Sequence, residues 1–546
     1  MSKLYIFAIG GSGSRVLRSF TMLLASGQDV MKGYDVYPVI LDYDTTNGDT
    51  KIAKQCIENY SNINRIAWKD TKIHDAERGE KGDGGYFLSK LFPLGGGDGA
   101  KMDSFQMVYA PKGQNKFCDY IGYEGLKSNT KNTRMLLDAL YNNEETNDQS
   151  ELYLDMVKGF KGNPNIGCMV FHNIETEAKE FRDFLQNLNN NDKVVVIGSL
   201  FGGTGSSGIP EVIKKIRTQS NNGAKVPIAS IFVMPYFVVD DIPNAAVKSK
   251  LFYSKTKAAI NYYHDSGLIT TTGNGKTTAS SSINSAYFIG DPDPLQLPYR
   301  DGGEEQINPA NPVEFISALS ILHFVNQKPA DYGCFKFGSN QFIYGKNGIG
   351  KSNLIYKDLY NDAEATDFVK PVIRRLTAFT VAMKYFMFKI TNPDKRLKKA
   401  QFFGLLNLAN PSTDTENLFE NLKKFWEKYK LWLDELATKQ QKVIKDGQIK
   451  TIQIEGGHTL SLFNTGDDKD AFNILYTSTD AGNGKKRDQN KSVDPDDITA
   501  AADDAIDKWR KKGQNDFNVN DLEFLFIHGL FMASNDAEDV ITPLFS

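Results

Sequence analysis

The sequence predicts an α/β fold, a doubly wound and mostly parallel sheet followed by a helix-rich α+β C-terminal domain. Three observations predict it. Val194, Val195, Val196 and Ile197 form an unbroken β-branched run, a Gly/Ser/Thr turn follows through Gly208, and Ile209, Val212, Ile213 and Ile216 then recur at helical spacing. The N-terminus repeats this order of strand, glycine turn and helix. Apolar strands keep alternating with helical patterns as far as Gly290, which is the mark of a parallel sheet with helices on both faces.

Residues 4–9 read as the first strand, Gly10, Gly11, Ser12, Gly13, Ser14 and Arg15 as a tight turn, and Val16, Leu17, Phe20, Leu23 and Leu24 as one helix face. A second strand over 36–41 ends at Asp42-Tyr43-Asp44. Acids in that place meet a ribose or a phosphate-bound cation, and solvated strand-end aspartates are the plain alternative. Residues 45–125 break short apolar runs with glycine-rich polar tracts and read as insertions beside the glycine turns or as a partner-binding excursion. Gly95 to Gly99 is one candidate for a third phosphate loop. The stretch 125–134 is the favoured one, because it enters a helix and Arg134 adds charge; a solvated basic helix start is the alternative.

Residues 143–150 read as a surface loop, Val170-Phe171 as the start of a short strand and 175–187 as a helix. After the 194–197 strand and its helix come a buried strand over 226–235, a helix over 245–263 and a strand over 285–290. Asn311 followed by Pro312 is a cap and first-turn pair, and the helix beyond it is apolar nearly all round, so it belongs between two layers. His323 in this helix reads as a core histidine. Gly345 to Ser352 satisfies the P-loop pattern Gly-x-x-x-x-Gly-Lys-Ser, yet Asn353-Leu354-Ile355-Tyr356 is strand-like and no strand ending in Asp follows, so 337–356 reads as a β-hairpin with a basic glycine turn. Beyond Asp362 helices are expected over 368–388, 418–440 and 496–512, with a hairpin pairing 451–454 and 459–463. Trp426, Tyr429 and Trp432 read as core, 482–491 as a basic loop, and 522–527 as a segment docked on the C-terminal domain.

Both glycine turns suit phosphate. Glycine lets the backbone approach a ligand without a Cβ in the way, Ser and Thr hydroxyls add donors, and a helix starting there offers its unpaired N–H groups to an anion. A dinucleotide site wants a third small residue, where this chain has Val16, although Asp42 sits well for a ribose.

The totals bound the rest. A chain of 546 residues has room for about three ordinary domains. Its 40% hydrophobic and 24% charged content is that of a folded globular protein, and a net charge of −3 gives no global attraction to nucleic acid or an anionic membrane. No apolar run reaches the roughly 18 residues of a transmembrane helix, and the opening apolar run is too short for a signal peptide. Cys56, Cys118, Cys168 and Cys334 are widely spaced, which suggests neither a disulfide framework nor a zinc site and fits a reducing cytoplasm. No metal ligand set is assigned.

The run Phe201-Gly202-Gly203-Thr204-Gly205-Ser206-Ser207-Gly208 resembles the Gly-Gly-Gly-Thr-Gly-Ser/Thr-Gly loop of the tubulin and FtsZ superfamily, with Phe201 in place of the first glycine and Ser207 extra or substituted. The landmarks also fall in that family's order over residues 1–325: glycine loop, acid-ended second strand, Gly-Thr-Gly loop and Asn-capped central helix. The gap between the two loops is longer than usual there and requires an insertion. The chain resembles the broad prokaryotic tubulin-like group rather than division FtsZ or eukaryotic tubulin.

That resemblance implies GTP or GDP as ligand with Mg²⁺ as a companion, phosphates near Gly10, Gly11, Ser12, Gly13, Ser14, Gly202, Gly203, Thr204, Gly205 and Ser206, and Asn311 as either a guanine reader or a simple cap. It implies a nucleotide domain over 1–307, a central helix over 308–326, a second domain over 327–546 and head-to-tail self-association. The family's acidic loop after the central helix is reduced here to Asp331, the one acid at hand for catalysis, so the expected function is a GTP-binding filament or switch protein with weak or absent hydrolysis. The alternatives are a non-polymerising nucleotide-sensing adaptor that binds a protein partner through its C-terminal helices, a P-loop ATPase using 345–352, and a dinucleotide oxidoreductase.

Overall fold

The computed structural model describes residues 1–96, 101–107, 115–126, 131–142, 150–242, 247–300, 302–337, 353–355, 363–391, 410–445, 448–462, 503–504, 507 and 522–536. The P-loop-like segment 345–352, the 482–491 loop and nearly all of 496–512 lie outside them.

The chain opens with β1 (Ser2–Ile9), which runs directly into α1 (Gly10–Ala25), then β2 (Tyr34–Leu41), α2 (Gly48–Ala67), α3 (Thr71–Arg78) and the short β3 (Gln106–Met107). Next come α4 (Lys131–Tyr141), α5 (Pro164–Phe171), α6 (Lys179–Asn187), β4 (Lys193–Ser199), α7 (Gly203–Gln219), β5 (Ile228–Val233), β6 (Phe237–Val239), α8 (Phe252–Asp265), β7 (Ser285–Ile289), β8 (Leu295–Leu297) and α9 (Pro312–Asn326). The C-terminal part holds β9 (Cys334–Phe337), β10 (Asn353–Ile355), α10 (Ala363–Thr391), α11 (Thr413–Ala437), β11 (Gln440–Lys445), β12 (Gln448–Gln453), β13 (Thr459–Ser461) and α12 (Leu522–Asp536).

Seven strands form one parallel sheet in the order β3-β2-β1-β4-β5-β7-β9. The order turns back on itself between β1 and β4. Both faces are covered, which is why the central strands read as continuous apolar runs. Along β1, Leu4, Ile6 and Ala8 enter one core while Tyr5, Phe7 and Ile9 enter the other, as a period of two requires.

The first core is built on α1, α2 and α9 and continues into α10, α11 and α12, so the described C-terminal helices close over one face of the sheet. Trp432 of α11 donates to Ser19 Oγ at 3.0 Å and lies 5.8 Å from the ring of Phe315, and Trp68, just past the end of α2, meets Phe524 of α12 at 5.1 Å. The second core lies under α5, α6 and α7. β9, which follows α9, adds to the edge of the sheet beside β7. No helix among the described residues is long and apolar enough to cross a membrane.

Some local expectations are corrected. Val170-Phe171 ends a helix, because Pro164 at its first turn fixes a helical start; a short apolar run alone does not separate strand from helix. The 175–187 helix breaks at Ala178. The C-terminal antiparallel pair joins β11 with β12, while β13 runs parallel to β10. Gly456 and Gly457, with φ of +68° and +67°, pack against Pro294 and Leu295 instead of turning a hairpin.

Candidate functional site

The reversal between β1 and β4 is where a parallel sheet opens a crevice beyond its carboxyl ends. Ile9 is in register with both Leu41 and Gly198, so the chain leaves β1, β2 and β4 at one rim, at Gly10, Asp42 and Ser199. A cleft of about 190 Å³ lies there.

Two helix N-termini form its floor. α1 begins at Gly10 and α7 at Gly203; neither has a side-chain cap or an acid in its first turn. α2, α3, α9 and α11 are capped by Asn47, Asp70, Asn311 and Ser412, whereas α5, α6 and α8 also lack a side-chain cap; what sets α1 and α7 apart is that both open into the one cleft. The first amides of α1 and α7 are therefore left to whatever occupies the cleft. The two turns touch: a Cβ built on Gly10, whose φ is +72°, would stand 3.4 Å from Thr204 Cβ. Gly205 packs on β4 so closely that a Cβ would lie 2.6 Å from Ser199 N.

A third segment, Lys158-Gly159-Phe160-Lys161-Gly162, crosses the α7 turn and lines the cleft with it. It approaches Gly203 within a distance that only glycine permits, a Cβ there falling 3.0 Å from both Gly162 N and Asn163 N. Lys158, Lys161 and Arg300 bring positive charge to the lining. Phe201, Phe237, Val239, Val247 and Phe252 make an apolar wall, with Phe201 and Phe252 ring centroids 4.8 Å apart.

Two acids complete it. Asp44 Oδ2 accepts Gly303 N at 2.8 Å, and its Oδ1 accepts both the amide (3.0 Å) and the hydroxyl (2.8 Å) of Thr46, so it ties the β2 rim to the 302–306 loop. Asp42 accepts from Asp44 N at 3.2 Å and from Thr50 Oγ1 at 3.4 Å. Burial, reinforced by the neighbouring Asp44 charge, pushes its carboxyl up to about 7.

Of the residues the sequence singles out, Gly10, Gly11, Ser12, Asp42, Asp44, Gly202, Gly203, Thr204 and Gly205 line this one cleft. Gly13 lies deeper, against the Ala8 and Ile197 backbones. Ser14 donates to Gly10 O and contacts Thr50 Oγ1, and Ser206 donates back to Gly202 O, so these hydroxyls brace the turns rather than face a ligand. Asn311 is outside the lining: its side chain accepts Val313 N at 2.9 Å and Glu314 Oε2 accepts Asn311 N at 3.1 Å, a reciprocal cap that occupies its acceptor. Arg134 is half-buried on α4, 4.5 Å over the Tyr123 ring and outside the cleft lining. Asp331 is exposed shortly after α9, its carboxylate accepting Lys328 N. Of the two proposed third loops, only Gly95 and Gly96 and residues 125–126 and 131–134 are described.

Sequence reasoning misses Lys158, Lys161, Arg300 and Asn47. The available signal is the repeat Lys-Gly-Phe-Lys-Gly, whose Gly159 and Gly162 have φ of +78° and +79°. Compared with known proteins, the chain matches no family model, no curated protein and no solved structure.

Proposed function

We propose that this chain is a guanine-nucleotide-binding protein of the tubulin and FtsZ kind, which self-associates head to tail and hydrolyses GTP weakly or not at all. The observation that carries the reading is the meeting of two uncapped glycine-led helix N-termini, at Gly10 and Thr204, in one cleft at the sheet's reversal point. Two converging sets of amides suit a chain of phosphates better than a single one, and Lys158, Lys161 and Arg300 add the charge that a di- or triphosphate needs. Asp42 and Asp44 stand where a phosphate-bound Mg²⁺ or a ribose would meet them, and a cation there would draw the proton from Asp42. The apolar wall at Phe201 and Phe252 offers a surface for a base.

Weak turnover follows from the poverty of acids on the assembling side, where Asp331 is the residue assigned to reach a neighbouring subunit's nucleotide. A dinucleotide is the second reading, favoured by Asp42 at the end of β2. Chromatography of nucleotide released from the purified protein, with titrations of GTP, GDP, ATP and NAD, decides between them. Guanine nucleotide is expected; NAD alone, or no nucleotide at any concentration, defeats the proposal. Pelleting and electron microscopy with GTP against GDP test assembly, and failure to assemble in either removes the filament half and leaves the adaptor reading.

A further inference from the structure

On the side of the molecule built from α3 and α12, three potential ligands come from opposite ends of the chain. Glu77 on α3, Asp83 in the turn after it and His528 on α12 each place a ligand atom within 4.8 Å of the others. Glu77 and His528 are buried, at 5% and 2% exposure, while Asp83 is exposed.

The arrangement is held from both ends. Asp83 N donates to Glu77 Oε2 at 3.0 Å, which folds the two carboxyl-bearing residues together. Gly82 makes that fold possible, since a Cβ there would sit 2.4 Å from Glu77 O, and Gly84 follows with φ of +94°. The His528 imidazole is fixed by stacking, 5.2 Å from Phe524 and 6.3 Å from Phe531, with the Trp68 ring edge-on at 6.5 Å. The Lys32 ammonium reaches the same turn and is held by Gly82 O at 2.9 Å and Asp29 at 3.1 Å.

We propose that Glu77, Asp83 and His528 bind a first-row divalent cation, Zn²⁺ by preference, which fastens α12 to the N-terminal half of the chain. One imidazole and two carboxylates is an N/O donor set of the kind zinc takes in three-ligand sites, with water in the remaining position, here on the exposed Asp83 side. Metal–ligand bonds of about 2.0–2.2 Å put tetrahedral ligand atoms roughly 3.3 Å apart, so the cluster needs only a modest inward turn, which the exposed Asp83 side chain can supply. The imidazole excludes calcium and magnesium as the natural occupants, both of which prefer oxygen alone. One buried and one exposed carboxylate beside an imidazole are also an arrangement whose negative charge a divalent ion neutralises.

The test uses the full chain stripped with EDTA and titrated with ZnCl₂, MgCl₂ and CoCl₂, followed by calorimetry and the visible spectrum of bound Co²⁺. One Zn²⁺ per chain is expected, with weak Co²⁺ bands typical of N/O coordination and no thiolate charge-transfer band. Asp83→Asn, exposed and outside the core, is expected to lower Zn²⁺ affinity at least tenfold and to alter the Co²⁺ spectrum with the fold intact; Glu77→Gln is expected to do the same. If His528→Ala does not fold, these two variants carry the test. Absence of stoichiometric Zn²⁺ binding would overturn the proposal, as would zinc binding that Asp83→Asn and Glu77→Gln leave unchanged.

Discussion

Gly11 and Gly13 lie two residues apart on α1, and the structure assigns them opposite roles. A Cβ on Gly11 would meet nothing closer than Asn47 Nδ2 at 3.7 Å, ordinary contact, and its backbone φ is not positive. Alanine is the better helix former by up to about 1 kcal/mol, so Gly11→Ala leaves stability unchanged or slightly raised. The new methyl nevertheless stands in the lining of the cleft, where a phosphate would approach the α1 amides. Displacing that approach costs at least one charge-assisted hydrogen bond, about 1.5–3 kcal/mol, or roughly ten- to hundredfold in GTP affinity. Gly13→Ala does the reverse. Its Cβ would lie 2.8 Å from Ala8 C and 3.0 Å from Ile197 O, backbone atoms of two central strands that have no rotamer to change. Overpacking against backbone that cannot yield costs up to about 3 kcal/mol, which after the helix-propensity gain of up to about 1 kcal/mol leaves a net loss of about 2 kcal/mol. Guanidinium unfolding curves together with fluorescent-GTP titration read both quantities. A Gly11→Ala protein that binds GTP as the parent does would refute the placement of phosphate on α1, and a Gly13→Ala protein as stable as the parent would refute the close seating of α1 on β1.

Lys158→Ala should weaken a triphosphate far more than the parent nucleoside, by roughly ten- to hundredfold, and equal losses on both ligands in the same titrations would exclude a phosphate contact. Asp42 carries its proton in the folded chain up to about pH 7, while the unfolded chain releases it near 3.8, so stability falls as pH rises through that window and the loss is complete above it. Asp42→Asn should make the stability curve shallower between pH 4 and 7; superimposed curves would show an ordinary carboxyl. Lys193 Nζ donates to Phe324 O, Val325 O and Gln327 O at 2.8–3.2 Å, closing the end of α9, and Lys193→Met should cost about 2–4 kcal/mol in denaturant unfolding. An unchanged midpoint would mean water serves those carbonyls equally well.

The parts legible in the sequence were those where local preference and tertiary role agree. β1, α1, β2, β4 and α7 each announce themselves by a run of buried strand residues or a helical stripe, and the two glycine turns fall where such units must turn. Asn311 carried two meanings in the sequence, and the reciprocal bond with Glu314 shows the capping one. What stayed hidden depends on long-range partners. The 158–162 segment has no periodicity, and only packing on Gly203 brings its lysines to the cleft. The amphipathic stripe of α11 foretells burial without saying against what; its partners prove to be α1 and α2. β11 is masked by its polar residues, so the strand-like stretch after it was paired forward across Gly456 and Gly457 instead of backward.

The position of the α1 amides is set from beneath as much as by the turn itself. Tyr236 donates its hydroxyl to Glu314 Oε1 at 2.9 Å, on the first turn of α9. Glu314 also pairs with Arg15, which donates to Pro309 O at 2.6 Å, and one turn further along α1 Arg18 meets Glu435 of α11, whose carboxylate accepts Ala310 N at 3.0 Å. Such buried charges add little net stability over an apolar core, yet removing one partner strands the other, so Arg15→Ala should cost about 3–5 kcal/mol in denaturant unfolding. What the network does supply is geometry. It fixes the rotation and depth of α1 against α9 and α11 at once, so the amides facing the cleft are already aimed before an anion arrives and little ordering is left to oppose binding. Arg15→Met, which keeps the side-chain volume without the charge, should therefore lose less stability than Arg15→Ala but still weaken GTP binding. Equal affinity in Arg15→Met and the parent would show that the turn alone aims the amides.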